Sequence, residues 1–190
     1  MSIRDERRAA AVVGMAEHLL AQGLAGASLR PLAKAAGVSD RMLLYYFADK
    51  DEVVAQTLLA IAGRLQAELA DAASEPAPPA SLAPRLWDIL QSPRMKPIMA
   101  LWLEISAAAA RGQAPYEAIA SQVAEGFLDW VEVRLLLPDG VDRRAVAALV
   151  LGTIDGLVML NGVGQAALAQ RALGAWDVVA QSAGDLPSPP

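Results

Sequence analysis

Apolar residues recur at three- and four-residue intervals along most of the chain, the spacing that places them on one side of an α-helix. No alternation of apolar and polar residues between turn signals predicts a β-strand. The pattern therefore predicts an all-α fold of nine helices. Their approximate bounds are 4–22, 29–36, 40–47, 50–69, 83–91, 93–111, 114–137, 142–161 and 165–183.

Two stretches are predicted to lie outside the helices. Residues 74–84 contain four prolines among eleven residues, and proline removes a backbone donor and breaks a helix interior. This stretch is predicted to be a linker. Residues 184–190, which end in Pro-Ser-Pro-Pro, are predicted to form a mobile tail.

The second and third predicted helices form a candidate helix-turn-helix. Ser28 and Ser39 are placed to cap their N-termini, and Gly37 ends the second helix before a short connection. In such a motif the second helix can enter the major groove of DNA, which is about 12 Å wide. The side chains predicted to face inward are Leu32, Ala33, Ala36, Val38, Leu43 and Phe47. Those predicted to project from one outer surface are Ser28, Arg30, Arg41, Tyr45, Tyr46 and Lys50.

A series of residues runs through this motif: Ser28-Leu29-Arg30 with Leu32-Ala33, Gly37-Val38-Ser39, Leu43, Tyr46-Phe47, and Lys50 followed by Val53. Together they resemble the N-terminal domain of the tetracycline-repressor (TetR) family of bacterial transcription regulators. The resemblance covers about residues 4–64. It implies a helix-turn-helix domain at residues 1–50, extending to about 64 with a connecting helix, and a helical effector-binding and dimerisation domain at residues 51–183.

Carried over position by position, the resemblance implies DNA contacts around the N-cap Ser39. It assigns phosphate contacts to Ser28, Tyr45, Tyr46 and Lys50, and base-edge contacts to Arg30, Asp40, Arg41 and Met42. Two positions depart from the family pattern. Leu44 replaces a common tyrosine, although leucine can touch a thymine methyl, and Asp40 repels phosphate, although it can accept from cytosine N4. We expect an unusual sequence preference or a modest affinity.

The charge of the chain is unevenly distributed around a formal net value of −5. Residues 1–64 hold eight basic and seven acidic side chains, whereas the remaining 126 residues hold eight basic and fourteen acidic ones. The overall field therefore does not favour DNA. DNA binding has to come from the local placement of a few basic side chains.

The composition excludes several kinds of chemistry. The chain has no cysteine and one histidine, His18, which argues against disulfides, Cys-type zinc sites and His-rich metal sites. It also has no phosphate loop, dinucleotide fingerprint or nucleophile elbow, so we predict no catalytic residue, metal or cofactor. The apolar run Ala145–Leu160 carries Asp155 and is shorter than the about 20 residues of a membrane span, which predicts a buried helix of a cytoplasmic bacterial protein.

Large apolar side chains in the second domain are predicted to pack in the core or to line a mostly apolar effector cavity. The candidate cavity residues are Met99, Trp102, Leu103, Ser106, Phe127, Trp130, Asp155 and Met159, with Glu104 and Asn161 as further polar candidates. Asp155 needs a partner if it is buried, and a ligand, a water molecule or Arg134 can serve.

Two glycines four residues apart, Gly152 and Gly156, allow another helix to approach closely, either within the chain or from a second copy. The resemblance implies a dimer through the last two helices. The predicted interface comprises Gly152, Gly156, Leu160, Leu168, Leu173 and Trp176.

These observations favour a homodimeric transcriptional regulator, with repression as its family's usual mode. Its predicted partners are a double-stranded DNA operator and a small apolar or amphipathic effector that releases or retunes it. One alternative is a regulator-like helical protein that has lost DNA binding and acts through protein contacts. Asp40, Leu44 and the negative net charge of the chain keep this alternative open. The other is an enzyme that uses carboxylates alone.

Overall fold

The computed structural model describes residues 3–73 and 75–182. This part of the chain forms nine α-helices and one short 3-10 helix, which confirms the all-α prediction. The α-helices are α1 (Ile3–Gln22), α2 (Leu29–Ala35), α3 (Asp40–Tyr46), α4 (Lys50–Ala72), α5 (Pro79–Leu90), α6 (Lys96–Ala109), α7 (Tyr116–Glu132), α8 (Arg143–Gly162) and α9 (Ala166–Ser182), and the 3-10 helix is Gly23–Gly26. The predicted tail, 184–190, lies outside the described residues.

The predicted linker is shorter in the structure, because α5 begins at Pro79 and continues through Pro84. Pro79 occupies the start of the helix, where its missing N–H has no intrahelical acceptor to lose. Pro84, inside the helix, has no N–H and therefore leaves one backbone hydrogen bond of the helix unmade. Five side chains of α5 are buried: Leu82, Ala83, Leu86, Trp87 and Leu90. The linker prediction was therefore wrong at residues 79–82, where α5 begins four residues before the predicted helix, since this burial offsets the lost bond.

The seventh helix ends earlier than predicted, at Glu132. The chain beyond it pairs with Ala77 in an isolated parallel bridge. The Ala77 N–H donates to the Arg134 carbonyl (2.8 Å), and the Leu136 N–H donates to the Ala77 carbonyl (3.0 Å). The Arg134 carbonyl and the Leu136 N–H thus find their partners in a distant segment instead of in another helical turn.

The described residues divide into two compact units that do not follow chain order. The first comprises the residues up to Ala67 together with Pro93–Ala124, and the second comprises Glu68–Ser92 together with the residues from Glu125 onward. In the first unit α1 packs on α2, α6 and the 3-10 helix, and α2 packs on α3. In the second unit α5, α8 and α9 pack on one another. The predicted functional division near residues 50–64 stays a prediction.

Helix α8 is buried along one side only. It is long and apolar enough to cross a membrane, but core helices of other proteins meet the same criteria of length and composition. Its buried residues are Ala147, Val150, Ile154, Leu157 and Val158, and it packs on α5 and α9. The prediction of a buried helix therefore holds for this side, whereas Leu149 and Met159 are exposed.

Candidate nucleic-acid interface

The turn between α2 and α3 is built by local hydrogen bonds around a glycine. Gly37 has a φ of +69°, a conformation that side chains with a Cβ rarely adopt. The Val38 N–H donates to the Ala33 carbonyl (3.0 Å), and the Gly37 N–H donates to the Lys34 carbonyl (3.1 Å). This pair of bonds is a Schellman motif. It ends α2 and sets the direction in which the chain enters α3.

Helix α3 begins with a true side-chain cap. The Ser39 hydroxyl accepts a hydrogen bond from the Met42 N–H at 3.2 Å, which confirms the predicted N-cap. Ser28 occupies the corresponding position before α2 in extended backbone, but its hydroxyl makes no capping hydrogen bond to that helix. The predicted capping role of Ser28 is therefore wrong, because the hydroxyl does not bond the N-terminal N–H groups of α2.

The inner faces of the two helices are buried largely as predicted. Leu32, Ala33, Leu43 and Phe47 are buried, whereas Ala36 and Val38 are half-buried. Tyr46 is the exception among the residues predicted to project outward. It is only 7% exposed, because most of its ring packs into the core of the first unit, so the prediction that it projects from the outer surface was wrong.

The remaining candidate DNA-contacting residues lie at the surface. Tyr45 is 60% exposed and Leu44 is 43% exposed. The exposed members of the predicted set are Ser28, Arg30, Ser39, Asp40, Arg41, Met42, Leu44, Tyr45 and Lys50. Three of them are cationic, and Asp40 is the one carboxylate in the set. Their roles toward DNA stay predictions.

Sequence reasoning missed two arginines of α1 that contact the end of α3. The Arg4 guanidinium carbon lies 4.8 Å from the centroid of the Tyr45 ring, and Nη2 donates to the Tyr45 carbonyl at 3.0 Å. The Arg8 guanidinium carbon lies 4.7 Å from the centroid of the Phe47 ring. The one available signal was the four-residue spacing of these arginines, which places them on the same face of α1.

The predicted effector residues fall into both units. In the first unit Met99 is buried, and Trp102, Leu103 and Ser106 are half-buried. Glu104, a candidate polar group of the cavity, is exposed, and its carboxylate accepts a hydrogen bond from the Leu24 N–H at 2.7 Å. This carboxylate therefore helps to hold the 3-10 helix to α6.

The second unit holds the other effector candidates. Phe127, Trp130 and Asp155 are half-buried, as is Asn161, and Met159 is exposed. The rings of Phe127 and Trp130 lie 6.2 Å apart. The Arg134 guanidinium stacks over Trp130 and donates to the Ala73 and Trp130 carbonyls. Burial lowers the pKa of Arg134 from its ordinary value. The effector cavity itself stays a prediction.

The predicted dimer residues do not share one environment. Leu168 is exposed and Leu160 is half-buried. Leu173 is buried within the chain, and the Trp176 indole N–H donates to the Pro79 carbonyl at 3.3 Å. Leu173 and Trp176 therefore contribute to the packing of the second unit, in which α9 lies against α5. The dimer interface itself stays a prediction.

The fold and this surface define a helical protein with an exposed helix-turn-helix. Residues 14–57 match the family model described as bacterial regulatory proteins, tetR family. Residues 14–57 thus form a domain of the tetR-family type, which confirms the resemblance found in the sequence of this segment. The search of curated proteins gave no match.

Solved structures with similar folds span nearly the whole chain. A transcriptional regulator from Rhodococcus sp. Rha1 is 24% identical, with a TM-score of 0.70, and the match covers 92% of this chain and 94% of that one. A TetR-family regulator from Cytophaga hutchinsonii is 12% identical, with a TM-score of 0.76 and 96% coverage of both chains. The multidrug binding protein EbrR, solved in complex with proflavin, is 22% identical, with a TM-score of 0.62 and coverage of 90% and 99%.

Proposed function

We propose that this protein is a sequence-specific DNA-binding transcriptional regulator that represses as a homodimer. One observation carries the proposal: a short helix, capped by Ser39, presents an exposed and partly cationic surface at the end of a helix-turn-helix. Side chains at the start of such a helix reach base edges in the major groove. Arg30, Arg41 and Lys50 supply the local charge that the acidic chain as a whole lacks.

An exposed stripe on α8 supports the homodimer. Leu149 (59% exposed), Met159 (53%) and Val163 just beyond the helix (68%) are spaced so that they share one helical face with Gly152 and Gly156. A Cβ added at either glycine would meet no atom of the described chain within 4 Å beyond the adjacent turns of its own helix. These glycines therefore do not accommodate an intrachain neighbour among the described residues, and a second copy is the occupant that we propose.

A small-molecule effector is the third part of the proposal. It rests on the fold shared with EbrR, whose structure contains proflavin, and on the half-buried aromatic pair Phe127 and Trp130 of the second unit. An effector changes DNA affinity only through its different affinities for the two states of the dimer, commonly by about 1–3 kcal/mol. We propose an apolar or amphipathic ligand for this role.

The test is a titration of the purified protein against the DNA that flanks its own gene, at two salt concentrations and with random DNA as competitor. We expect specific, salt-sensitive binding by a dimer, since released counterions make phosphate contacts salt-dependent. If the protein binds the flanking DNA no better than random DNA, selection from a random DNA library supplies the operator. A protein that retains no sequence from either source is not a sequence-specific regulator, and the protein-contact alternative then replaces the proposal.

A pair of arginine variants makes this test specific for the helix-turn-helix. Arg41→Ala removes an exposed cation at the start of α3, and Arg111→Ala removes one after α6. We expect the first to weaken specific binding by roughly five- to 150-fold for each half-site of the dimer, corresponding to about 1–3 kcal/mol for one base contact. The second leaves binding unchanged. Equal effects of the two variants would contradict a base contact by Arg41.

A further inference from the structure

The first turns of α1 meet the end of α3 through two arginines. We infer that one of them, Arg4, binds a DNA phosphate together with Tyr45, so that the protein contacts DNA with an element outside its helix-turn-helix. The ligand is a phosphodiester of the duplex backbone. This inference rests on the proposed function and deepens it, because it adds a contact that the family resemblance did not assign.

The position of Arg4 is determined by two contacts with Tyr45. Its Nη2 donates to the Tyr45 carbonyl at 3.0 Å, and its guanidinium lies 4.8 Å from the centroid of the Tyr45 ring. Both side chains are exposed. A phosphate that accepts a hydrogen bond from the Tyr45 hydroxyl would therefore lie near the Arg4 guanidinium, which is stacked over the same ring.

Arg8, one turn further along α1, anchors this arrangement. Its guanidinium stacks on Phe47, and Nη2 forms an ion pair with the Glu52 carboxylate at 2.9 Å. The other oxygen of that carboxylate accepts from the Ala48 N–H at 2.5 Å. Arg8 and Glu52 thus join α1 to the loop between α3 and α4. Their role is to position Arg4, and they need not touch DNA.

The chemistry of a guanidinium suits this place. Arginine carries five N–H donors in a planar fork, and the hydrogen bond to the Tyr45 carbonyl uses only one of them. Stacking on the ring restrains the side chain before DNA arrives, so less conformational entropy is lost on binding. Asp5 and Glu52 line the same concavity, but Glu52 is paired with Arg8 and Asp5 also has a partner within the chain.

The experiment measures the salt dependence of DNA binding for Arg4→Ala, Arg4→Lys and Arg7→Ala against the unchanged protein. Arg7 is the matched control, because it is an exposed arginine on the same helix with the same charge. Each lost phosphate contact lowers the slope of log K against log [salt] by about 0.9. A dimer with two copies of Arg4 loses about 1.8. When the salt concentration rises fourfold, the factor by which Arg4→Ala loses affinity is then about 12 times smaller than the factor for the unchanged protein.

We expect this change for Arg4→Ala, little change for Arg7→Ala, and a preserved slope with weaker binding for Arg4→Lys, which keeps the charge but loses the planar fork. Circular dichroism establishes that the variants fold. Equal slopes for Arg4→Ala and Arg7→Ala overturn the inference, whether both fall or neither does. If the unchanged protein itself binds no DNA, the proposed function fails and the inference fails with it. If it binds and Arg4→Ala matches it, the inference alone fails.

Discussion

The packing of α1 against α2 makes a sharp prediction at Gly14. A Cβ built on Gly14 would lie 2.4 Å from the carbonyl oxygen of Ala35 and 3.2 Å from its carbonyl carbon. Both atoms belong to the backbone of α2, so no side-chain rotation can relieve the overlap. Gly14→Ala therefore has to push the two helices apart by nearly 1 Å to reach an ordinary van der Waals separation, about 3.4 Å between carbon and oxygen.

Two effects of opposite sign compete in this variant. Alanine stabilises a helix interior by about 0.8–1 kcal/mol relative to glycine. Overpacking against fixed neighbours costs about 1–3 kcal/mol, occasionally more. We expect the steric cost to win and the free energy of unfolding to fall by about 1–2 kcal/mol. For a chain of this length that corresponds to a midpoint roughly 2–8 °C lower.

Gly63→Ala is the matched control. Gly63 lies inside α4 on an exposed face, and a Cβ added there would meet no atom of the described chain within 4 Å beyond the adjacent turns of α4. Only the helix propensity then acts, so this variant is expected to be more stable by up to about 1 kcal/mol. Urea and thermal unfolding at one fixed protein concentration measure both changes, since a dimer's midpoint depends on concentration. Equal stabilisation by the two substitutions would refute the close approach of α1 and α2.

Three further predictions concern the core, the ionisation of a tyrosine and the dimer. Leu43→Ala should lower the free energy of unfolding by about 2–5 kcal/mol, because Leu43 is fully buried. The same substitution at its exposed neighbour, Leu44→Ala, should change that free energy by less than about 0.5 kcal/mol. Similar urea midpoints for the two variants would contradict the buried and exposed faces assigned to α3. Burial, and to a smaller extent the Asp51 carboxylate, raise the pKa of Tyr116 above its ordinary value of 10.0. The folded state therefore keeps this proton where the unfolded state loses it, so stability present below pH 10 declines as the pH rises through the folded pKa. Tyr116→Phe should reduce that alkaline decline, and a variant with the same decline would exclude Tyr116 as a cause. Met159→Lys should convert the proposed dimer to a monomer in sedimentation analysis. Val133→Lys, at another exposed apolar position, should leave the dimer intact. A dimer that persists in both variants would contradict the proposal that α8 forms the interface.

Elements that depend on neighbouring residues were predictable. The Ser39 cap involves an N–H three residues away, and the turn at Gly37 uses carbonyls three to five residues earlier. Such features are encoded by residues adjacent in sequence, so their pattern alone places the two helices of the motif. The inward positions of Leu32 and Leu43 follow from helical periodicity for the same reason.

The contacts of the proposed interface with α1 were not predictable in this way. Arg4 and Tyr45 are 41 residues apart, and Arg8 and Glu52 are 44 residues apart. The four-residue spacing groups Arg4 with Arg8 on one face of α1, but it does not indicate which distant helix that face meets. Only the structure brings Arg4 to the Tyr45 ring. The burial of Tyr46 was not predictable either. Tyr45 and Tyr46 are adjacent tyrosines in a short helix, and the residue type alone does not show which of them faces the core.

The sequence by itself determined that this protein is helical, where most of its helices begin and end, and that two of them form a helix-turn-helix. Only the tertiary structure decided that α5 accommodates two prolines, that Glu104 bonds to the N–H of Leu24, and that α8 is buried on one side and exposed on the other. The reason is physical. Periodicity, caps and breakers act within about one or two helical turns, whereas the exposure and the partners of a side chain depend on which distant helix packs against it.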